Sequence, residues 1–193
     1  MKKILGPKTE FRARFIPEYK ELARVIRGLK KQGKQIVLTQ GVYDLIHEGH
    51  ALYLEKARAL GDVLIVGVDS DELTRQRKGP DRPIVPQNER FKMLVHLRHV
   101  DIVTIREIHH EMGDLIRLVK PDVLVVSKST ADFTDEMVSA YKSECGKIVS
   151  LPPQATTTTT ARIRILTMEG VNRLSQEINK LTEKFIEDIK RGR

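Results

Sequence analysis

Thr39-Gln40-Gly41-Val42-Tyr43-Asp44-Leu45-Ile46-His47-Glu48-Gly49-His50 decides how the rest of the chain is read. Ahead of it, Gln35-Ile36-Val37-Leu38 reads as a short buried strand. Behind it, Ala51 to Leu60 reads as a helix with Tyr53, Leu54, Ala57 and Leu60 on one face. A strand that turns through glycine into a helix predicts free backbone N–H groups facing one small volume, where the helix dipole favours an anion. Gly41 admits a phosphate close to the backbone, and Gly49 keeps bulk away from the helix start. His47 and His50 are expected to add imidazole N–H donors to the same space. Those residue types suit a polyphosphate, with donors placed to stabilise charge that grows during phosphoryl transfer. Taken alone, His-x-Gly-His fits better one histidine capping a helix and another packed in a core.

Outward from this stretch the pattern repeats. Asp62 opens Val63-Leu64-Ile65-Val66-Gly67-Val68, an unbroken apolar run of the kind that marks a strand buried on both faces. With a helix between them, the two strands form a βαβ unit, which predicts parallel pairing and a right-handed crossover. Ser70-Asp71-Glu72-Leu73 reads as a helix start capped by Ser70. Lys78 to Pro86 holds three prolines and a glycine and reads as a loop. A helix from Glu89 to Leu97 should bury Phe91, Leu94 and Val95. Ile102–Ile105, Val123–Val126 and Ile148–Leu151 complete the strands, with helices at Met112–Val119 and Phe133–Cys145. Upstream, Leu22, Val25, Ile26 and Leu29 predict an amphipathic helix stopped by Gly33.

Strands alternating with helices predict an α/β fold, a single doubly wound, Rossmann-like sheet of about five parallel strands. Residues 1–17 read as a basic, irregular N-terminal extension, 18–166 as the domain proper and 167–193 as a helical C-terminal extension. Its long helix, Val171 to Lys190, carries Leu174, Ile178, Leu181 and Phe185 on one face, to cover the sheet or to pair with another subunit in a homodimer. Ligands of such sheets bind beyond the carboxyl ends of the strands. Here those ends are Thr39–Tyr43, Val68–Ser70, Ser127–Lys128 and the threonine run that follows Pro152-Pro153.

Composition narrows the function classes. The 193 residues are 40% apolar, enough for one globular domain rather than a disordered chain. No apolar run reaches the roughly 20 residues of a membrane span. The N-terminus lacks the apolar stretch of a signal peptide. One cysteine, Cys145, excludes an internal disulfide and a cysteine-built zinc site, which suits a cytoplasmic location. The net charge of +8 fits nucleic acid or an enzyme whose substrates are polyanions. Aromatic residues make up 5% with no tryptophan, and no reading module is present, so nucleic acid is the less favoured partner.

Gly41-Val42-Tyr43-Asp44-Leu45-Ile46-His47-Glu48-Gly49-His50 resembles the G-x-[FY]-D-x-x-H-x-G-H signature of the cytidylyltransferase-like nucleotidyltransferases. The likeness continues through Gly61-Asp62, Ser70-Asp71-Glu72-Leu73-Thr74, Lys78-Gly79, Arg82-Pro83, Asn88-Glu89-Arg90 and Val100-Asp101. Within that superfamily, Leu29 to Thr39 and the loop Lys78-Gly79-Pro80-Asp81-Arg82-Pro83 are similar to the adenylyltransferase part of ADP-heptose synthases. Ser70 to Thr74 and Asn88-Glu89-Arg90 resemble the phosphocholine and phosphoethanolamine cytidylyltransferases. The Arg-Thr-Glu-Gly-Ile-Ser segment of the cytidylyl branch is replaced by Pro153-Gln154-Ala155-Thr156, without the arginine, which leans the donor toward ATP and keeps CTP as the alternative.

The resemblance implies in-line attack of an acceptor phosphate on the α-phosphorus of a nucleoside triphosphate, with pyrophosphate leaving. Mg²⁺ would be bound mainly through the triphosphate, and the acceptor would be a phosphorylated sugar or polyol, or a phospho-alcohol with CTP. His47, His50 and Lys78 take the catalytic roles. Gly41, Val42, Tyr43, Gly49, Asp69, Arg90, Thr159 and Thr160 take the nucleotide, and Asp44 and Lys128 are candidates for the acceptor. Each has a plainer reading beside it: Lys78 as a solvated member of Arg75-Gln76-Arg77-Lys78, Asp44 as a turn cap, Arg90 in a surface salt bridge, the threonines as a polar loop. A silent nucleotide- or nucleic-acid-binding module that kept the fold is the reading from another class. His109-His110-Glu111 reads as surface rather than metal site, since adjacent helical residues do not face one point.

Overall fold

The computed structural model describes residues 10–111, 113–128, 140–154 and 159–191, without the side chains of 159, 160, 162, 185, 188 and 190. In chain order the elements are α1 (Phe11–Arg14), α2 (Tyr19–Lys31), β1 (Ile36–Gly41), α3 (Glu48–Arg58), β2 (Val63–Asp69) and α4 (Asp71–Lys78). Then come α5 (Gln87–His96), β3 (Ile102–Arg106), α6 (Asp114–Val119), β4 (Val123–Ser127), β5 (Lys147–Leu151) and α7 (Thr159–Lys190). Two compact units result, Met1–Thr156 and Thr157–Arg193.

The strands form one sheet in the order β3-β2-β1-β4-β5, every neighbouring pair parallel. This is the doubly wound, Rossmann-like α/β fold expected from the sequence. The chain runs outward from β1 to β3, then restarts at β4 on the other side of β1. The switch point therefore lies between the carboxyl ends of β1 and β4, where ligands of open α/β sheets bind. The quoted stretch leaves β1 at that point.

Each face of the sheet has its own core. Tyr53, Leu54 and Ala57 of α3 and Phe91, Leu94 and Val95 of α5 pack on Val37, Leu64, Val66 and Val103. On the other face Leu22, Ile26 and Leu29 of α2 and Leu115, Ile116 and Val119 of α6 cover Ile36, Leu38, Ile65 and Leu124. Aspartates pin the amino ends of the strands. Asp122 accepts from the Ile36 N–H at 2.7 Å, Asp62 from Gln35 N–H at 2.9 Å and Asp101 from Leu64 N–H at 2.8 Å. These bonds satisfy donors that precede the ladders and hold the register.

Several local readings need correction. The N-terminal arm is not irregular throughout. Phe11 and Phe15 stack, Phe15 stacks in turn on Phe91 with centroids 4.8 Å apart, and the Ile16 N–H donates to the Val103 carbonyl at 2.9 Å. Aromatic burial and the unpaired edge of β3 together order this segment. The helix after the motif begins at Glu48 rather than Ala51. The helix that opens at Thr159, beside the expected start at about Thr160, runs on through Gly170 into the 171–190 segment as one element. Of the helix expected at 133–145, residues 133–139 lie outside the described residues, and the helical backbone ends at Tyr141, ahead of Cys145. Met112 also lies outside them, and α6 starts at Asp114.

Candidate active site

After β1 the backbone climbs through two left-handed residues, Tyr43 (φ 55°) and Leu45 (φ 48°). Side chains larger than glycine disfavour that region, so the turn is held by its surroundings. The Tyr43 ring lies over Gly41, where a Cβ would come within 3.2 Å of it. Val42 offers its carbonyl to Arg90 at 2.5 Å. Arg90 also donates to the Val85 carbonyl at 2.9 Å and pairs with Asp71 at 2.7 Å, and its side chain is 0% exposed. Arg90 is therefore placed beneath the motif loop as a brace for three segments.

Asp44, the next polar residue, is also buried. Its carboxylate accepts from the Ile84 and Val85 N–H groups at 3.0 and 2.9 Å and pairs with Arg82 at 3.0 Å. The motif loop thereby holds the loop that follows Lys78. Arg82 was quoted in the resemblance without a role, and this pairing is its observed place.

His47 is the N-cap of α3. Its Nδ1 accepts from the Gly49 N–H at 3.1 Å, while Nδ1 of His50 accepts from the His47 N–H at 3.3 Å. This reciprocal cap has the logic of a capping box, with imidazoles in place of the usual hydroxyl and carboxylate. It corrects the expectation of free amides, because the rings have taken the N–H groups of His47 and Gly49. With each Nδ1 engaged as an acceptor, a neutral imidazole carries its proton on Nε2. The two centroids are 4.1 Å apart, so both partly buried rings border one small volume.

Burial lowers the His50 pKa to about 4, helped by His47 and Lys78 and opposed by Asp44. At neutral pH it is an uncharged donor. The same electrostatics place Lys78 within reach of His50, at the exposed C-terminal end of α4. Ser70 caps α4 by accepting from the Leu73 N–H at 3.1 Å, as its position in the sequence implied.

Asp69 ends β2 with a side chain 0% exposed, paired with Arg77 and, at 3.0 Å, with Arg106. Its charge is thus compensated by one residue of α4 and one of β3. Lys128 follows the carboxyl end of β4 and is exposed, with its N–H on the Leu151 carbonyl at 2.9 Å. The side chains of Thr159 and Thr160 lie outside the described residues, as do residues 156–158. The structure thus brings His47, His50, Lys78 and Asp44 together at the end of β1 and packs Val42, Tyr43 and Arg90 behind them. His110 stacks on Tyr19 with centroids 4.2 Å apart and accepts from the Glu107 N–H at 2.9 Å.

Two further contacts that the sequence reading missed fix α3. Tyr53 donates to the Val125 carbonyl at 3.1 Å and lies 2.7 Å from the Thr39 hydroxyl, which joins α3 to β1 and β4. A tyrosine on the apolar face of a helix, opposite a strand threonine, was the available signal.

Comparison with known proteins agrees with the fold. The chain is 40% identical over 145 residues to the bifunctional protein HldE of Desulfatibacillum aliphaticivorans, 74% of this chain and 29% of that protein. It is 49% identical over 111 residues to the bifunctional protein HldE of a Nitratiruptor species, 58% of this chain and 24% of that one. The chain therefore spans less than a third of the length of these curated relatives. Among solved structures, the lipopolysaccharide core biosynthesis protein from Thermoplasma volcanium GSS1 superposes with a TM-score of 0.57 at 28% identity, over 64% of this chain and 100% of that one. Pantoate-beta-alanine ligase from Francisella tularensis, at 17% identity and a TM-score of 0.53 over 74% of this chain and 68% of that one, shares the fold. The family model for cytidylyltransferase-like proteins matches residues 38–174, from β1 into α7. With the signature, the parallel sheet and a match across most of its length, the chain belongs to the cytidylyltransferase-like family of nucleotidyltransferases.

Proposed function

We propose that this chain transfers the nucleoside monophosphate of ATP to the phosphate of a phosphorylated sugar or polyol and releases pyrophosphate. The observation that carries the reading is the mutual capping of His47 and His50, which sets the two imidazoles side by side near Lys78. An acceptor phosphate oxygen forms a bond to the α-phosphorus, and the bond to the bridging oxygen of pyrophosphate breaks. The imidazoles hold phosphate oxygens and Lys78 offsets charge on the leaving pyrophosphate. Rate comes from positioning and charge stabilisation, with no covalent intermediate on the chain.

The remaining assignments belong to the same proposal. Residues 18–166 form the catalytic domain, with extensions at 1–17 and 167–193. Gly49 gives the triphosphate room beside the backbone, and Gly41 makes way for the Tyr43 ring at the nucleotide site. Val42, Tyr43, Asp69 and Arg90 support the nucleotide site from behind, as positioning residues. Asp44 orders the loop over the acceptor, and Lys128 takes an acceptor phosphate. Thr159 and Thr160 are assigned to the β and γ phosphates by sequence likeness alone.

Among the described residues no group of three or more His, Cys, Asp or Glu stands together to hold a metal ion. Asp44 is tied to Arg82, Ile84 and Val85. Mg²⁺ would arrive on the triphosphate, where it neutralises phosphate charge. No described helix is long and apolar enough to cross a membrane. A cytoplasmic location, where ATP and sugar phosphates are met, and a homodimer complete the reading.

The HldE relatives favour ATP and a sugar phosphate over CTP and a phospho-alcohol. The intact pair of imidazoles argues against a silent binding module. Purified chain should be assayed for pyrophosphate release with ATP, CTP, GTP and UTP against heptose 1-phosphate, glycerol 3-phosphate and phosphocholine. ATP with the sugar phosphate should turn over fastest. A preference for CTP with phosphocholine would move the chain to the other branch. No release with any pair, together with salt-dependent nucleic-acid binding, would overturn transfer altogether.

A further inference from the structure

Beyond Gly170, α7 carries an apolar stripe at alternating spacings of three and four. Val171, Leu174, Ile178 and Leu181 are each more than half exposed, at 55, 58, 53 and 67%. Large aliphatic side chains left that open on one helical seam need a partner surface. The spacing is the a/d pattern of a heptad, with Val171 and Ile178 at a and Leu174 and Leu181 at d. Phe185 continues it in the sequence at the next a position.

The residue types say what the partner is. β-branched side chains at a with leucine at d pack best in a parallel two-stranded coiled coil. That geometry requires the other helix to show the same register, and a second copy of this chain does so by definition.

Charge supports the match. In a parallel pair the g residue of one helix faces the following e residue of the other. Here that sets Glu177 against Thr182 and Lys184 against Ile189, so no like charges meet along the flanks, while Asp188 takes the next d position and ends the apolar core after Phe185. Along 171–191, Arg173, Lys180, Lys184, Lys190 and Arg191 are balanced against Glu177, Glu183, Glu187 and Asp188. Two copies can lie side by side without strong repulsion. Before Gly170, Ile165, Leu166 and Met168 fall outside this register, so the seam starts after the glycine. The family match ends at residue 174, so most of the seam lies beyond the shared domain.

We propose that two copies of this chain pair through residues 171–185 of α7 as a short parallel coiled coil, with Val171, Leu174, Ile178 and Leu181 as its core. This names the seam of the homodimer in the proposed function, and it holds whether or not the sheet's site transfers a nucleotide.

Light scattering on the eluting full-length chain, over about a hundredfold range of concentration, tests it. The chain should show twice the 22.0 kDa of one copy and dissociate on dilution. Ile178→Asp with Leu181→Asp should give one copy at every concentration, while Gln176→Ala with Glu183→Ala, on the opposite face, should leave the dimer intact. Circular dichroism and pyrophosphate release, followed separately, report whether the sheet domain of the aspartate variant is still folded. Orientation is read from Val171→Cys in a Cys145→Ser background, where mild oxidation should link two copies in a parallel pair. A single-copy mass for the wild type, a dimer that survives both aspartates, a trimer or tetramer mass, or no cross-link in the Val171→Cys variant would each overturn the proposal.

Discussion

Removing the His50 ring would take away two things at once: the acceptor for the His47 N–H and an Nε2–H donor beside Lys78. The two losses can be separated. His50→Ala should lower pyrophosphate release by roughly two or more orders of magnitude, as loss of a transition-state donor does. It should also destabilise the chain by about 1 kcal/mol, the worth of a helix cap. His50→Gln restores an acceptor at the capping position, so its melting temperature should return toward wild type while its rate stays low. Equal rates in wild type and alanine variant would remove His50 from the mechanism.

The depressed pKa of His50 also has a consequence for stability. The ring titrates near pH 4 in the folded chain against an ordinary value of 6.5, mainly through burial. Between these values the unfolded chain holds a proton that the folded chain excludes. Stability is therefore complete above 6.5 and is lost as pH falls toward 4. Urea midpoints measured across that window should fall with acidification, and less steeply in His50→Gln.

That His47 and His50 stand side by side at the end of β1 was legible, because their order is bound to a glycine and a preceding strand. Their hydrogen bonds were not legible, because an imidazole can cap a helix only if its ring turns back onto the chain. Arg90 shows the same limit. Its neighbours Phe91, Leu94 and Val95 declare a buried face, but the carbonyls of Val42 and Val85 that receive the guanidinium are distant in sequence. Arg90→Leu should cost about 3–5 kcal/mol, since Asp71 and two carbonyls lose their partner. Denaturant titration measures it, and a loss below about 1 kcal/mol, the worth of an ordinary hydrogen bond, would show the brace to be dispensable.

At the level of elements, strands β1 to β4 announce themselves as apolar runs between turn residues, and the whole of β2 is buried. The start of α3 was hidden, because histidine is not among the residues that usually cap helices. Helix α3 is also tied into the sheet by the Tyr53 hydroxyl, between Thr39 and Val125. Tyr53→Phe should keep the fold and cost about 1–3 kcal/mol for the hydrogen bonds left unmade. Transfer should slow as well, since the tie positions the helix that begins with the two imidazoles. Denaturation and rate measured on the same preparation check both effects. A slower rate with unchanged stability would point to a direct role for the hydroxyl instead.

Across the whole molecule, parallel order and the switch beside β1 follow from strands alternating with helices, and the site lies where that topology puts it. The N-terminal arm was opaque for a different reason. Its basic residues gave it the look of an irregular extension, and only the fold reveals that Phe11 stacks on Phe15 and Phe15 on Phe91.

That arm has a further effect, on how chains behave in a crowd. By laying Phe15 and Ile16 along Val103, it takes up the Val103 backbone at the outer edge of β3. An uncovered strand at the rim of a sheet is a template on which another chain can grow. A chain shortened past Ile16 would still contain every residue of the signature, yet it should cloud on heating at concentrations where the longer one stays clear. Residues with no part in the chemistry would then be what keeps the enzyme from seeding its own precipitate.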